Sequence, residues 1–174
     1  AGVGMVPEDR KTSGLVLDAP IVENLGYATL RSTGRFGLAD RAGQRRRGKD
    51  VADRLRIRLA SLDQPVKGLS GGNQQKVVFG RWFMAGSDVL LLDEPTRGVD
   101  VGAKVEIYEL VNDITAGGGT VVLASSDLPE VISMSDRVLV MAHGRIVGEL
   151  PADQATQDAV MTLAVKEVDS SRVR

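Results

Sequence analysis

An α/β fold, in which a parallel sheet with crossover helices is joined to a mainly helical subdomain, is predicted by three features of the chain. The second half alternates β-rich runs (Val89 to Leu92, Thr120 to Ala124, Arg137 to Met141) with helical patterns at Val101 to Thr115 and Leu128 to Ser135. The first half is governed instead by helical spacing. The third is VLLLDEP, Val89 to Pro95, in which Val89 to Leu92 are apolar throughout, as a strand covered on both faces must be, and are followed by two acids.

The elements follow in order. Val3 to Val6 reads as the end of a short strand, broken by Pro7, Glu8 and Asp9 into a loop that carries Arg10 and Lys11. Ile21 to Leu30 suits a helix, and Ser32, Thr33, Gly34 and Gly37 interrupt it. Val51, Leu55, Leu59 and Leu62 recur at helical spacing and predict a helix ending near Asp63, stopped by Gln64 and Pro65. After Ser70 a further helix is expected to Ala85, packing through Val77, Val78, Phe79, Trp82 and Phe83. Val101, Val105, Tyr108, Val111 and Ile114 share one helical face, and Gly117 to Gly119 end that helix. A hairpin from Met141 to Val147 turns through His143-Gly144, and an amphipathic helix from about Ala152 to Val165 closes the pattern.

Composition bounds the function. With 174 residues and 43% apolar content the chain can bury one ordinary core, and 22 basic against 23 acidic residues leave a net charge of −1, so no overall field points to nucleic acid or an acidic membrane. The absence of cysteine excludes disulfide scaffolds and thiolate-bound metals. The apolar runs fall far short of the about 20 residues that cross a bilayer, so a membrane role would come through a partner. The opening AGVGMVPEDRK has no basic-then-apolar leader and reads as a cut end.

The chemistry gathers in two places. In open α/β sheets ligands bind at the carboxyl edge, where Asp93 could hold Mg²⁺, largely through water, while Glu94, facing the other way, could polarise a water attacking a γ-phosphate. The bland reading is a strand end with two solvated acids. In LSGGNQQKV, Leu69 to Val77, Ser70, Gly71 and Gly72 start a helix whose free N–H groups and dipole suit an anion, and two glycines admit close backbone approach. Ser-Gly-Gly alone would be an ordinary cap; Asn73-Gln74-Gln75-Lys76 after it makes the combination less accidental. No phosphate-cradling GxxxxGK[ST] loop occurs: the one Lys followed by Thr, Lys11-Thr12, is preceded by Arg10, with Met5 in place of the first glycine.

LSGGNQQKV, VLLLDEPTRGVDVGAKVEIYEL and SSDLPEVISMSDRVLVMAHGRIVGEL together resemble the ATP-binding cassette (ABC) proteins. VPEDRKTSGLVL with PTRGVDVGAK is similar to the C-terminal cassette of the fused two-cassette ATPases of ribose-, xylose-, arabinose- and galactose-type sugar importers. The resemblance covers nearly the whole chain. It implies a partial P-loop NTPase-like domain that serves ATP with Mg²⁺: 1–18 as the end of a truncated core with the Q-loop region, 19–87 as the helical subdomain with the signature, 88–150 as the Walker B half of the nucleotide-binding core, and 151–174 as a C-terminal helix and tail. Leu69 to Gly72 would be the signature, with Asn73 and Gln74 continuing its contact to nucleotide. Asp93 and Glu94 would be the Walker B pair, with Asp93 on the metal and Glu94 catalytic. Gly98-Val99-Asp100 would be the loop that speaks across a dimer. Ser126 falls where the family's switch histidine sits, and Glu8 where its γ-phosphate-sensing glutamine sits.

Those two departures have consequences. A hydroxyl cannot span the gap a histidine spans or carry its charge, so the site on this cassette's own strands is expected to be weak or inactive. Cassettes of the family dimerise head to tail, so Ser70 to Gly72 would complete a site whose phosphate loop lies in the N-terminal cassette of the same polypeptide. The expected setting is the cytoplasmic face of the cell membrane, through transmembrane permease subunits and without nucleic acid. The chain alone should be inactive and, with part of its sheet uncovered, open to domain-swapped or homodimeric association. The alternative is a regulatory, non-catalytic half-cassette that docks on a partner cassette or membrane subunit; a DNA-repair or translation ATPase is disfavoured by PTRGVDVGAK. Arg45, Arg46, Arg47 and Lys49 lack interleaved aromatics and read as a solvated face. His143 reads as a turn residue, and Phe79, Trp82 and Phe83, with Met134 and Met141, as packing.

Overall fold

Strand β1 (Val3–Val6), β2 (Val89–Asp93) and β3 (Thr120–Ala124) form a parallel sheet in the order β1-β2-β3, with Val3 opposite Val89 and Leu91 opposite Val122. The computed structural model describes residues 2–30 and 40–165, in two compact units: the first runs to Ala124 and the second begins at Ser125. The interruption expected at Ser32 to Gly37 and the last residues of the expected C-terminal tail lie outside the described residues. None of the described helices is long and apolar enough to cross a membrane.

The first unit is helical between its strands: α1 (Ile21–Gly26), running on into a 3₁₀ turn, α2 (Arg41–Arg54), α3 (Gly71–Ala85) and α4 (Val101–Ala116). Ile21, Leu25, Val66, Val77, Val78 and Phe79 are buried, and Val6, Leu90, Leu92 and Ile107 are likewise inaccessible. Trp82 of α3 crosses onto β1, where its indole N–H donates to the Met5 carbonyl at 2.7 Å. A Cβ on Gly4 would stand 2.6 Å from that ring, so the glycine is what lets helix and strand touch. Trp82 and Phe79 therefore serve packing, as expected.

In this unit three expectations need correction. The helix expected to end near Asp63 stops at Arg54, because Arg56 takes φ 51° and closes a Schellman motif: its N–H bonds the Asp53 carbonyl at 3.1 Å and that of Ile57 the Ala52 carbonyl at 2.9 Å. Leu55, Ile57 and Leu62 are buried all the same, from a loop. The second concerns β2, which is covered on one face only. Leu90 and Leu92 are buried, whereas Leu91 (36% exposed) joins Val3, Met5 and Val122 on an open apolar face. The buried stripe of α4 is Ala103, Ile107, Leu110 and Val111; Val101 is 80% exposed, and Val105 is exposed too. That face is fixed by Ala103, whose small side chain admits the start of α3.

The second unit holds α5 (Leu128–Met134), the antiparallel pair β4 (Arg137–Ala142) and β5 (Arg145–Pro151), and α6 (Gln157–Ala164). The run Arg137 to Met141, expected in the parallel sheet, pairs here with β5 instead. His143 (φ 49°) and Gly144 (φ 75°) form the expected turn, two left-handed residues matching the twist of a tight hairpin. Helix α6 begins at Gln157 rather than near Ala152, because Thr156 caps it through Ala159 N–H and a 3₁₀ turn occupies Ala152–Gln154. Val138, Val140, Ala155 and Val160 make its core.

Candidate functional site

Three segments of the first unit meet around one arginine. The turn after β2, the start of α3 and the loop after β1 come from sequence positions far apart, and Arg10 touches each. Its Nη1 donates to the Arg97 carbonyl and its Nη2 to the Gly98 carbonyl, both at 3.1 Å. Glu8, two residues earlier, forms an ion pair with the Arg97 side chain.

Ser70 is exposed and caps α3. Its Oγ accepts from Asn73 N–H at 3.4 Å and from Asn73 Nδ2 at 2.8 Å, so its own proton is left to donate elsewhere. Asn73 Oδ1 in turn accepts from Arg58 N–H at 2.8 Å. Gln74 is buried and donates to the carbonyls of Leu69 at 3.2 Å and Val66 at 3.4 Å, which ties it to the turn before the helix rather than to open space. Each glycine has a steric reason besides ligand approach. A Cβ on Gly72 would sit 2.5 Å from Cβ of Ala103, and one on Gly71 would sit 2.8 Å from Arg10 Nη2 and 3.4 Å from the Gly98 carbonyl oxygen.

Asp93 closes β2, half-buried at the carboxyl end of the central strand. Glu94 follows in a left-handed conformation, φ 46°, its N–H donating to the Ala124 carbonyl at 2.8 Å and its carbonyl accepting from Arg97 N–H at 3.0 Å. Such a backbone costs a non-glycine residue about 1–2 kcal/mol, and strain of this kind concentrates at functional positions. Gly98, φ 67°, turns the chain into Asp100, whose carboxylate accepts from Ala103 N–H at 2.9 Å and caps α4. Helices α3 and α4 thus begin side by side, at Gly72 and Ala103. Among the described residues no group of three His, Cys, Asp or Glu side chains could hold a metal ion by itself. A single carboxylate at a strand end, as at Asp93, suits Mg²⁺ shared with phosphate oxygens and water.

Glu8, Ser70 to Gln74, Asp93, Glu94 and Asp100 all belong to the first unit. Ser126 belongs to the second, where it lies exposed before α5. Beside it Ser125 Oγ bonds Oε2 of the buried Glu130 at 2.5 Å and accepts from Asp127 N–H at 3.0 Å. The sequence reading gave Arg10 no role. Its only signal was its place in the Pro-Glu-Asp-Arg loop leaving a strand, which does not reveal the carbonyls it would find.

The sequence pattern of the ABC transporter family matches residues 1–97. A ribose import ATP-binding protein of Corynebacterium glutamicum is 65% identical over 170 residues, covering 98% of this chain and 32% of that protein. Another ribose import ATP-binding protein, from Streptomyces coelicolor, is 64% identical over 165 residues, 95% of this chain and 32% of its own length. The chain therefore spans about a third of the length of these relatives. Among solved structures, a dimeric post-hydrolysis state of an ATP-binding cassette bound to ADP and phosphate superposes with a TM-score of 0.70 at 21% identity, over 86% of this chain and 62% of that one.

Proposed function

Because the chain belongs to the ABC transporter family, we propose that it is part of the ATP-hydrolysing subunit of a carbohydrate importer and supplies signature and Walker B residues to ATP sites that power sugar uptake. The observation that carries this reading is the meeting of the α3 start with the turn that leaves Asp93 and Glu94, joined through Arg10. The names of the relatives support a ribose-type sugar as cargo.

In this reading Ser70, with its free hydroxyl proton, and the N–H groups of Gly71 and Gly72 receive phosphate oxygens of ATP held by the N-terminal cassette of the same polypeptide. Mg²⁺, when bound by Asp93, draws charge from the phosphates. Glu94 takes the proton of an attacking water. Glu8 stands in the γ-phosphate-sensing position and Asp100 in the loop facing the partner cassette. The subunit sits at the cytoplasmic face of the membrane through permease subunits. The 174 residues by themselves have no phosphate-cradling loop and hydrolyse nothing.

A second reading, a regulatory half-cassette that binds without turnover, is favoured by Ser126 at the position of the switch histidine. ATP hydrolysis by the chain joined to the N-terminal portion of its relatives, with and without Glu94→Gln, separates the two. The catalytic reading expects turnover to fall in the variant by the share that the site on this cassette's own strands contributes. Unchanged turnover would make the carboxylate vestigial and favour the regulatory reading.

A further inference from the structure

We infer that Asn73 is a positioning residue for Ser70: its side-chain amide, anchored on the main chain at Arg58, holds the Ser70 hydroxyl so that its proton points outward, toward an incoming phosphate oxygen. The inference rests on the reading of the site given above, and it places Asn73 at one remove from nucleotide rather than in contact with it.

The orientation of the amide is set by chemistry. Arg58 N–H can only donate, so the atom 2.8 Å from it is Oδ1, and Nδ2 is the end that faces Ser70 Oγ, also at 2.8 Å. An amide nitrogen donates and does not accept, so Ser70 Oγ is the acceptor of that bond. It accepts a second time from Asn73 N–H at 3.4 Å. With both lone pairs of the hydroxyl engaged from the helix side, its proton is left to the exposed side of Ser70. The length of the side chain matters here. In the common capping box a Glu or Gln three residues after the cap reaches back to the cap's main-chain N–H. Asparagine is one methylene shorter than glutamine, and in this chain it meets the hydroxyl itself.

Both ends of the arrangement are held independently of Asn73. Arg58 follows the buried Ile57, whose N–H bonds the Ala52 carbonyl at 2.9 Å. At Ser70 the main chain is held by Gln74, whose N–H donates to the Ser70 carbonyl at 2.8 Å and whose Nε2 donates to the Leu69 carbonyl at 3.2 Å. Removing the amide therefore leaves the start of α3 in place and frees the rotation of one hydroxyl.

Two measurements test it. In the chain as given, Asn73→Ala should speed hydrogen exchange at the Arg58 amide roughly tenfold with exchange in the α3 core unchanged, whereas Asn73→Asp, which keeps an acceptor for that N–H, should leave it protected. Unaltered exchange at Arg58 in Asn73→Ala overturns the inference. In the chain joined to the N-terminal portion of its relatives, Asn73→Ala should lower kcat/KM for ATP roughly fivefold, the worth of about one hydrogen bond. Asn73→Asp, whose carboxylate can only accept and so draws the Ser70 proton inward, should lose at least as much. In a Ser70→Ala background, Asn73→Ala should change kcat/KM by less than about twofold further, because the group it positions is gone. Losses that multiply would put Asn73 on the nucleotide itself and overturn the positioning role, as would an Asn73→Ala variant as active as wild type. A joined wild-type protein with no turnover, or one indifferent to Ser70→Ala, refutes instead the reading of the site.

Discussion

The ammonium of Lys76, 4% exposed on α3, lies 2.8 Å from Oε2 of Glu106 on α4, and also donates to the Arg56 carbonyl at 3.2 Å. One buried cation thus ties together two helices and the left-handed residue that ends α2. Arg58 reaches the other oxygen of Glu106 at 3.3 Å. The hydrogen bond from Lys76, aided by the charges of Lys76 and Arg58, holds the Glu106 carboxyl below its usual range despite partial burial.

Glu106→Gln should destabilise the chain by about 1–2 kcal/mol at neutral pH, since it leaves a buried ammonium without its counter-charge while Glu106 itself keeps part of its surface in water. The effect depends on acid in a defined direction. A carboxyl with a lowered folded pKa stabilises fully above its unfolded value, about 4.3, and loses that contribution as pH falls through the folded value. Urea melts of wild type and Glu106→Gln should therefore be farthest apart near pH 7 and converge on acidification below about pH 4.

Ser70 carries two duties that substitutions can separate. Its Oγ caps α3, so Ser70→Ala should cost about 1 kcal/mol of stability. Aspartate caps as well as serine, so Ser70→Asp should melt close to wild type, but it sets a negative charge where phosphate oxygens are received. In the chain joined to the N-terminal portion of its relatives, Ser70→Asp should abolish ATP turnover with stability intact. An active Ser70→Asp would remove the hydroxyl from the nucleotide site and leave it a cap only.

Much of this was legible in the residues. Runs of β-rich residues marked β1 to β3 and helical spacing marked the helices that follow Ser70 and Asp100, and the turn at His143-Gly144 was visible because few residues accept two positive φ angles. What escaped were features set by contact rather than by period. The leucine spacing from Val51 to Leu62 runs straight through the stop at Arg56, since an arginine in the left-handed region gives no signal comparable to glycine. The stripe of α4 turned on Ala103, whose value lies in being small beside Gly72. The bonds of Arg10 run to carbonyls, which every residue possesses, so no side-chain pattern announces them.

The open face of the sheet bears on the behaviour of the chain alone. Val3 at 48%, Met5 at 49% and Val122 at 54% exposure line up across β1 and β3 with Leu91 between them, and all-parallel sheets are almost always covered on both faces. A second copy of the chain is the cover available in a purified sample. Sedimentation velocity should show concentration-dependent self-association, which a double Met5→Glu, Val122→Glu variant abolishes without changing the far-ultraviolet dichroism. A wild-type chain that stays monomeric at high concentration would count against association through this face.

Nucleotide titration of the 174 residues addresses the division of labour directly. Most of the electrostatic stabilisation of a transferred phosphoryl group comes from a backbone cradle, its lysine and the metal they help to hold. The chain has no GxxxxGK[ST] segment to supply the first two, and Asp93 offers Mg²⁺ one carboxylate at a strand end. The N–H groups at Gly71 and Gly72 add a half-site that meets phosphate from one side only. Isothermal titration with Mg-ATP should therefore give no saturable heat below millimolar concentration. Joining the N-terminal portion should bring saturable binding into the micromolar range, and Ser70→Asp should weaken it again. Tight binding by the chain alone would mean that the phosphate contacts come from residues other than those placed here at the start of α3 and the end of β2.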